Sequence, residues 1–580
     1  MKNYSKSFCF MIFFFGIILI KEVPAATIYV DNSVSSDCLG NYSVANRNCS
    51  GNGATSYNTI QKAVLNCSPG DVIYMRGGTY REIDIDIPTS KNGTSWAAGS
   101  FTTLASYPGE WAVIDGSGLN TNLEYRYQHI IRHPTSYVTG GMNGATKYWL
   151  FERFEVTGGR WGFWLVGGPM KFRYLYIHDN GRAVGDDLVG GMFIFTATEN
   201  VIEYCYFKNN EIPGSPTGNN GNLMFDGDYR DTGGKGKAFQ PDACVHKNTI
   251  RYNLFEGSVQ GIRLKGDQRF GYNDRNPNPG SPLWAYQDFG DNIHHNIILN
   301  ARDVGLRYGQ DFSQIHNNII SNSNGQVIGK SDGHPVLYNQ VIYNNTFIGS
   351  EAQYILRSAA DSTSYDNYYD RGSGNPQAHI HVWLYNNIQS GYSGNLGAFR
   401  MQSDCDDDNW SAADVVFERN LLNNVTYSSR ALRMGNTSSG SGCAAEYYSV
   451  SSFNSCSNIW RNTSGVLNWD VNGTLFQETS GASQYIIFGS FGLGGTSTVA
   501  NAGIGGPHPY LSGISLPSYI GATNPADNAW VNGVLTDLSS VAWLKAQTGG
   551  DPSWIEGGEG FFVPRQVQGF KKVPGATNGN

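Results

Sequence analysis

One short pattern recurs along the middle of the chain: apolar residues, an asparagine, then more apolar residues. It reads Ile250-Arg251-Tyr252-Asn253-Leu254-Phe255, Ile293-His294-His295-Asn296-Ile297-Ile298 and Ile315-His316-Asn317-Asn318-Ile319-Ile320. It continues as Ile342-Tyr343-Asn344-Asn345-Thr346-Phe347, Leu384-Tyr385-Asn386-Asn387-Ile388 and Phe417-Glu418-Arg419-Asn420-Leu421-Leu422. Less regular copies precede these at Phe172–Ile177 and Ile202–Phe207. The asparagines at 253, 296, 318, 345, 387 and 420 are 43, 22, 27, 42 and 33 residues apart. The shortest gap is one coil of a stacked repeat, and the longer gaps are a coil carrying a loop. An Asn fixed between apolar residues in every coil would hydrogen-bond its amide to the next, forming a ladder. A second segment follows behind a glycine: Gly261-Ile262-Arg263-Leu264, Gly305-Leu306-Arg307-Tyr308 and Gly325-Gln326-Val327-Ile328, with earlier parallels at Gly162-Phe163-Trp164-Leu165 and Gly191-Met192-Phe193-Ile194. The expectation is an all-β solenoid, a stack of parallel strands in which each coil pairs with those above and below.

Composition agrees. Charged residues are only 15% of the chain, glycine numbers 72, and 34 Tyr, 29 Phe and 13 Trp supply a large core. Such a chain is neither a coiled coil nor a charge-rich disordered tail. The net charge of −8 argues against non-specific nucleic-acid binding. It leaves room for an anionic substrate in a local basic cleft. Residues 1–25 read as a secretory signal peptide, with Lys2 and Lys6 ahead of the apolar run Phe8–Ile20 and small residues near Ala25. That run is too short to span a bilayer, and no other segment is apolar enough. The expected location is therefore secreted, extracellular or periplasmic, without membrane insertion. Beyond Cys9 in the leader, Cys38, Cys49 and Cys67 cluster early and Cys405, Cys443 and Cys456 late. Disulfides are expected within each cluster, with Cys205 and Cys244 as buried thiols. No Cys/His set has the spacing of a structural zinc site. His294, His295 and His316 sit beside ladder asparagines and read as structural.

The start of the chain sharpens the fold. Tyr57–Val64 reads as a short amphipathic helix, Pro69-Gly70-Asp71 turns into Val72–Met75, and Gly77-Gly78-Thr79-Tyr80 follows. This resembles the capped beginning of right-handed parallel β-helix proteins of the pectate-lyase superfamily. The resemblance implies a right-handed parallel β-helix over residues 26–470, whose open end the helix covers. Residues 471–580, with Trp530, Trp543 and Trp554, are expected to pack along the coils or cap the far end.

Long insertions around 212–240, 266–290 and 350–380 point to the central coils as the binding region. Placing Gly261 over Gly305 places Arg263 over Arg307 on adjacent coils. Lys265 stands two residues beyond Arg263, on the same strand face. Adjacent cations of this kind need an anion beside them, and a polyuronate carboxylate would serve. Lys265, the Asn296 strand and Gly305-Leu306-Arg307-Tyr308-Gly309 resemble the chondroitinase B and alginate lyase family of β-helical polysaccharide lyases. The resemblance implies β-elimination on a uronate-containing polysaccharide, with Lys265 as base and Arg307 as its partner. Two departures stand out: Tyr308 replaces a His, and Ser258 and Gln260 occupy places where calcium-ligating acids are expected. Arg263, Arg307 or a Ca²⁺ ion would neutralise the uronate, and Tyr308 or a water would protonate the leaving oxygen. Arg230, Arg269, Tyr272 and Trp284 are the expected substrate-binding residues. Asp226, Asp228, Asp242 and Glu256 are candidate ligands for Ca²⁺. A glycoside hydrolase using paired Asp residues is the alternative enzyme. Gly261-Ile262-Arg263-Leu264-Lys265 faintly resembles the Arg-Ile-Lys of polygalacturonases, but their Gly-His-Gly element is missing. A non-catalytic polysaccharide-binding surface protein, stacking Trp161, Trp164 and Trp284 on sugar rings, is the third reading. The chain is expected to act as a monomer.

Overall fold

The computed structural model describes residues 25–118, 129–134, 144–181, 189–213, 220–226, 247–265, 290–308, 313–323, 325–331, 336–349, 353–358, 377–391, 398–402, 410–423, 431–434, 446–455, 459–462, 467–478, 502–508, 514–524 and 529–555. Each coil has three walls. In one representative coil, Asn292–His294 forms the first wall, Ile297–Leu299 the second and Val304–Tyr308 the third. The next coil pairs with it in parallel on every wall, with Ile293 beside Ile315, Ile298 beside Ile320 and Leu306 beside Val327. Repeated along the chain, this parallel pairing makes the all-β solenoid a parallel β-helix.

The corner between the first and second walls is only two residues long, and it explains the asparagine repeat. Its first residue takes a left-handed backbone, as in Tyr252 (φ 52°), His295 (54°), Asn317 (51°), Asn344 (50°) and Asn386 (56°). Its second residue is the ladder position. The backbone amide and Nδ2 of Asn253 both donate to Asn296 Oδ1 at 3.1 and 3.0 Å. The same pair of bonds links Asn296 to Asn318, Asn318 to Asn345, Asn345 to Asn387 and Asn387 to Asn420. The other Nδ2 proton goes to a first-wall carbonyl, for example Asn318 to Ile293 O at 2.9 Å. The amides are thus satisfied, which is why they sit at 0% exposure in an apolar interior. Cys205 fills the same slot one coil earlier, its amide donating to Asn253 Oδ1 at 2.9 Å.

Two further ladders hold the other corners. Asn200 Nδ2 donates to Asn248 Oδ1 and Asn248 Nδ2 to Asp291 Oδ1, at 3.0 and 2.9 Å. Asn180 donates to Asn210 and Asn210 to Asn222 in the same way. Between the walls, residues such as Ile250, Phe255, Ile262, Ile293, Ile298 and Leu306 form one continuous core. Each buried side chain of this size contributes about 1.5–3 kcal/mol. Gly261 belongs to the third wall because a Cβ there would lie 2.5 Å from Gly305 O on the next coil.

At the start, the helix Ile60–Asn66 buries Ile60, Ala63 and Val64 against the first coils. Its N-terminus is held by the Thr59 side chain, which accepts from Lys62 N, and by the Glu82 carboxylate, which accepts from Ile60 N and Gln61 N. Cys38 and Cys49 form a disulfide, while Cys67 and Cys205 are buried thiols. Cys244, Cys405, Cys443 and Cys456 lie outside the described residues. Among the described residues no helix is long and apolar enough to cross a membrane.

The walls continue past residue 470, since the strand Leu467–Glu478 still pairs in parallel with Trp410–Asn423. After it the chain turns back. Residues 502–508, 514–524 and 529–547 follow the two-residue corners in reverse order, as a strap, and residues 547–555 double back toward Tyr204 and Tyr252. Arg419 Nη1 donates to Ala502 O, Asn386 Nδ2 to Pro517 O, Asn344 Nδ2 to Tyr519 O and Asn317 Nδ2 to Ala522 O. Further along, Trp530 meets His295 and Tyr252, Trp554 meets Tyr204, and Tyr174 Oη donates to Gly550 O. Arg153 finally reaches Gln547 O. Asp551 joins a buried ion network on the first wall, where Glu203 binds both Arg173 and Arg251 at 2.7 Å and Arg173 binds Asp551 at 2.6 Å.

Candidate functional site

The third wall carries the expected cations. Along Gln260–Lys265, Ile262 and Leu264 enter the core and Arg263 takes the opposite face. Along Val304–Tyr308, Leu306 and Tyr308 enter the core and Arg307 stays outside it, half-buried. The register sets Arg263 directly beside Arg307, and Asp226 directly beside Lys265. The register therefore makes two short columns on this wall: Met224, Arg263 and Arg307 in one, and positions 226 and 265 in the other. Toward the N-terminal coils this wall carries buried aromatics, with Trp161 0% and Trp164 9% exposed, which does not fit the expectation that they stack on sugar rings. Trp164 stacks on Phe193 at 4.4 Å, and Trp161, Phe195 and Met224 complete a cluster.

Arg263 is 7% exposed. Burial pulls its guanidinium below the usual value, while the charges of Asp226 and Asp303 oppose that shift. Arg307 is thus the more reachable of the two. Asp303, which the sequence reading missed, stands just before the strand Val304–Tyr308. Its place in the turn carries no periodic signal. Lys265 ends its strand, and its side chain lies outside the described residues.

The structure corrects two assignments. Tyr308 is 0% exposed in the solenoid interior, and burial drives its phenol well above the usual value. A hydroxyl there does not reach a substrate on the outside. Strand alternation explains it: a residue next to outward-facing Arg307 must face inward. Glu256 does not join Asp226. It ends the second-wall strand Leu254–Glu256, beside Lys208, with Lys208 Nζ 3.2 Å away and the Tyr206 hydroxyl donating to it. Asp228, Arg230, Asp242, Arg269, Tyr272 and Trp284 lie outside the described residues.

On the first wall the same register gathers three histidines. His294 pairs with His316, and their rings stack at 4.8 Å with planes 3° apart. His295, at the left-handed corner, brings its Nδ1 to 2.7 Å from His294 Nδ1. Burial pulls His294 well below the usual imidazole value and His316 down to about 3, with neighbouring histidines adding to each shift.

No protein-family model matches the sequence, and no curated protein matches it. Among solved structures the chain is similar to pectate lyase Pel9A, with a TM-score of 0.37, 16% identity, and coverage of 86% of this chain and 98% of that one. It is also similar to XylC, solved with xylose, with a TM-score of 0.41, 11% identity, and coverage of 80% of this chain and 88% of that one. None of these comparisons singles out the chondroitinase B and alginate lyase family.

Proposed function

We propose that this protein is an exported, monomeric polysaccharide lyase that cleaves a uronate-containing glycan by β-elimination. The observation that carries the reading is the register of the third wall, where Arg263 and Arg307 lie side by side and Lys265 sits opposite Asp226. A uronate C5–H is weakly acidic until its carboxylate charge is neutralised. Half-buried Arg307 is placed to meet that carboxylate, with Arg263 reinforcing the field from beneath. Lys265, in its neutral form, accepts the C5 proton as general base. The C4–O bond then breaks, the electron pair of the C5–H bond becomes the C4=C5 double bond, and the leaving oxygen takes a proton from water. Tyr308 has no part in this step.

The acids assigned to Ca²⁺ do not form one set among the described residues. Asp226 faces the cations of the third wall, and Glu256 is engaged by Lys208 and Tyr206. Asp228 and Asp242, the other two candidate ligands, lie outside the described residues. Loss of activity in a chelator would mark a Ca²⁺-assisted step, and full activity would mark neutralisation by arginine alone.

The test is a panel of alginate, pectate and glycosaminoglycans, followed by ultraviolet absorbance of the conjugated unsaturated uronate. The wild-type protein should generate that band on one of them. Lys265→Ala should abolish it while the far-ultraviolet circular dichroism is unchanged. New reducing ends without the band would instead mark the hydrolase with paired Asp residues. Binding without cleavage would mark a polysaccharide-binding protein.

A further inference from the structure

We propose that His294, His295 and His316 form a binding site for one late first-row transition-metal ion, with Zn²⁺ as the working probe. One ligand nitrogen from each ring lies within 4.8 Å of the others. No spacing rule in the sequence shows this, because the solenoid register and not a local motif brings the rings together. His294 and His316 occupy the same position on adjacent coils, and His295 is turned toward His294 by its left-handed backbone.

The donor set selects the metal class. Three imidazoles without a carboxylate suit Zn²⁺, Cu²⁺ or Ni²⁺ and disfavour Ca²⁺ and Mg²⁺. All three rings are largely buried, so a bound ion would be shielded from competing water ligands. An outer shell is in place. His316 has Asn317 Oδ1 at 2.9 Å from Nδ1 and Asn292 Oδ1 at 3.1 Å from Nε2. One of these oxygens can take the N–H that orients the ring while the other nitrogen serves the metal. The nearest cation on the same column, Arg251, is ion-paired to Glu203 at 2.7 Å, which limits its repulsion. Stacking alone does not require histidine here, since the column continues with Tyr343 stacked on His316 at 4.6 Å. The site lies on the first wall beneath Trp530 of the strap, away from the third-wall cations. A bound ion would bridge two coils.

The experiment uses the untagged mature protein, stripped with a chelator and dialysed against Zn²⁺ and, separately, Co²⁺. The expected result is one bound equivalent, a raised melting temperature, and the visible d–d spectrum of Co²⁺ with nitrogen ligands. His316→Phe and His295→Phe keep an aromatic ring against Tyr343 and Tyr252, so they preserve the packing while removing the donors. Each should weaken binding by about tenfold or more and remove the Co²⁺ spectrum. Should either phenylalanine variant fail to fold, His295→Gln gives the same readout. Absence of stoichiometric binding, or wild-type binding in these variants, would overturn the proposal. Glycan cleavage is not the readout, so the result stands apart from the lyase assignment.

Discussion

At the scale of single residues, buried amides do most of the specifying. Asn318 illustrates what each contributes. It accepts from two Asn296 donors and gives its own to Asn345 and Ile293. Asn318→Ala removes these partners from groups with no water to replace them. The expected cost is about 2–4 kcal/mol, read as a lower denaturant midpoint. Asp291 is a carboxylate in a ladder otherwise made of amides. Burial pushes its pKa up to about 7 from an ordinary 3.8, against the hydrogen bonds donated by Asn248. Because the folded value is raised, its proton favours the native state. That contribution is complete below about pH 4 and is lost as pH rises through 7. Asp291→Asn keeps an acceptor for Asn248 and has no charge to bury. It should stabilise the protein by the order of 2–4 kcal/mol at pH 8 and leave it unchanged at pH 4. A pH series of melting temperatures for both proteins checks this. The main ladder was legible in the sequence because its asparagines lie between apolar residues in a repeated frame. The corner amides Asn200, Asn248 and Asn210 were not, because they stand beside loops of irregular length. Tyr308 was misplaced for a different reason: resemblance to a motif outweighed the two-residue alternation that fixes its direction.

At the scale of elements, strand faces and strap differ in what the sequence reveals. The pairing of Arg263 with Arg307 was readable because Gly261 and Gly305 mark equivalent points of adjacent coils. The route of the strap was not, since many of its contacts use its own backbone carbonyls, which no side-chain pattern records. Its anchors are nevertheless specific. Trp530 is 1% exposed and packs on Tyr252 and His295. Trp530→Ala should cost about 3–5 kcal/mol, as for other buried aromatics. Limited proteolysis of that variant should release the strap before the solenoid is cut. Equal protease resistance in the two proteins would show that the tryptophan does not anchor it.

At the scale of the whole molecule, the strap changes how a solenoid holds together. Stacked coils contact only their neighbours, so their stability is a sum of local terms. The strap touches corners from Arg419 back to Arg153 and joins distant coils directly. On the third wall of this frame, the buried Trp164–Phe193 stack gives way along one column to the Arg263–Arg307 pair, of which Arg307 is the more exposed. On that wall rests the lyase assignment. Mass spectrometry of the products from a uronate polysaccharide tests it most directly. Elimination leaves new non-reducing ends lighter by one water than hydrolysis does, and these should form with the wild-type protein and disappear with Arg307→Ala. Products carrying the full mass of added water, or unsaturated ends made equally well by Arg307→Ala, would contradict it.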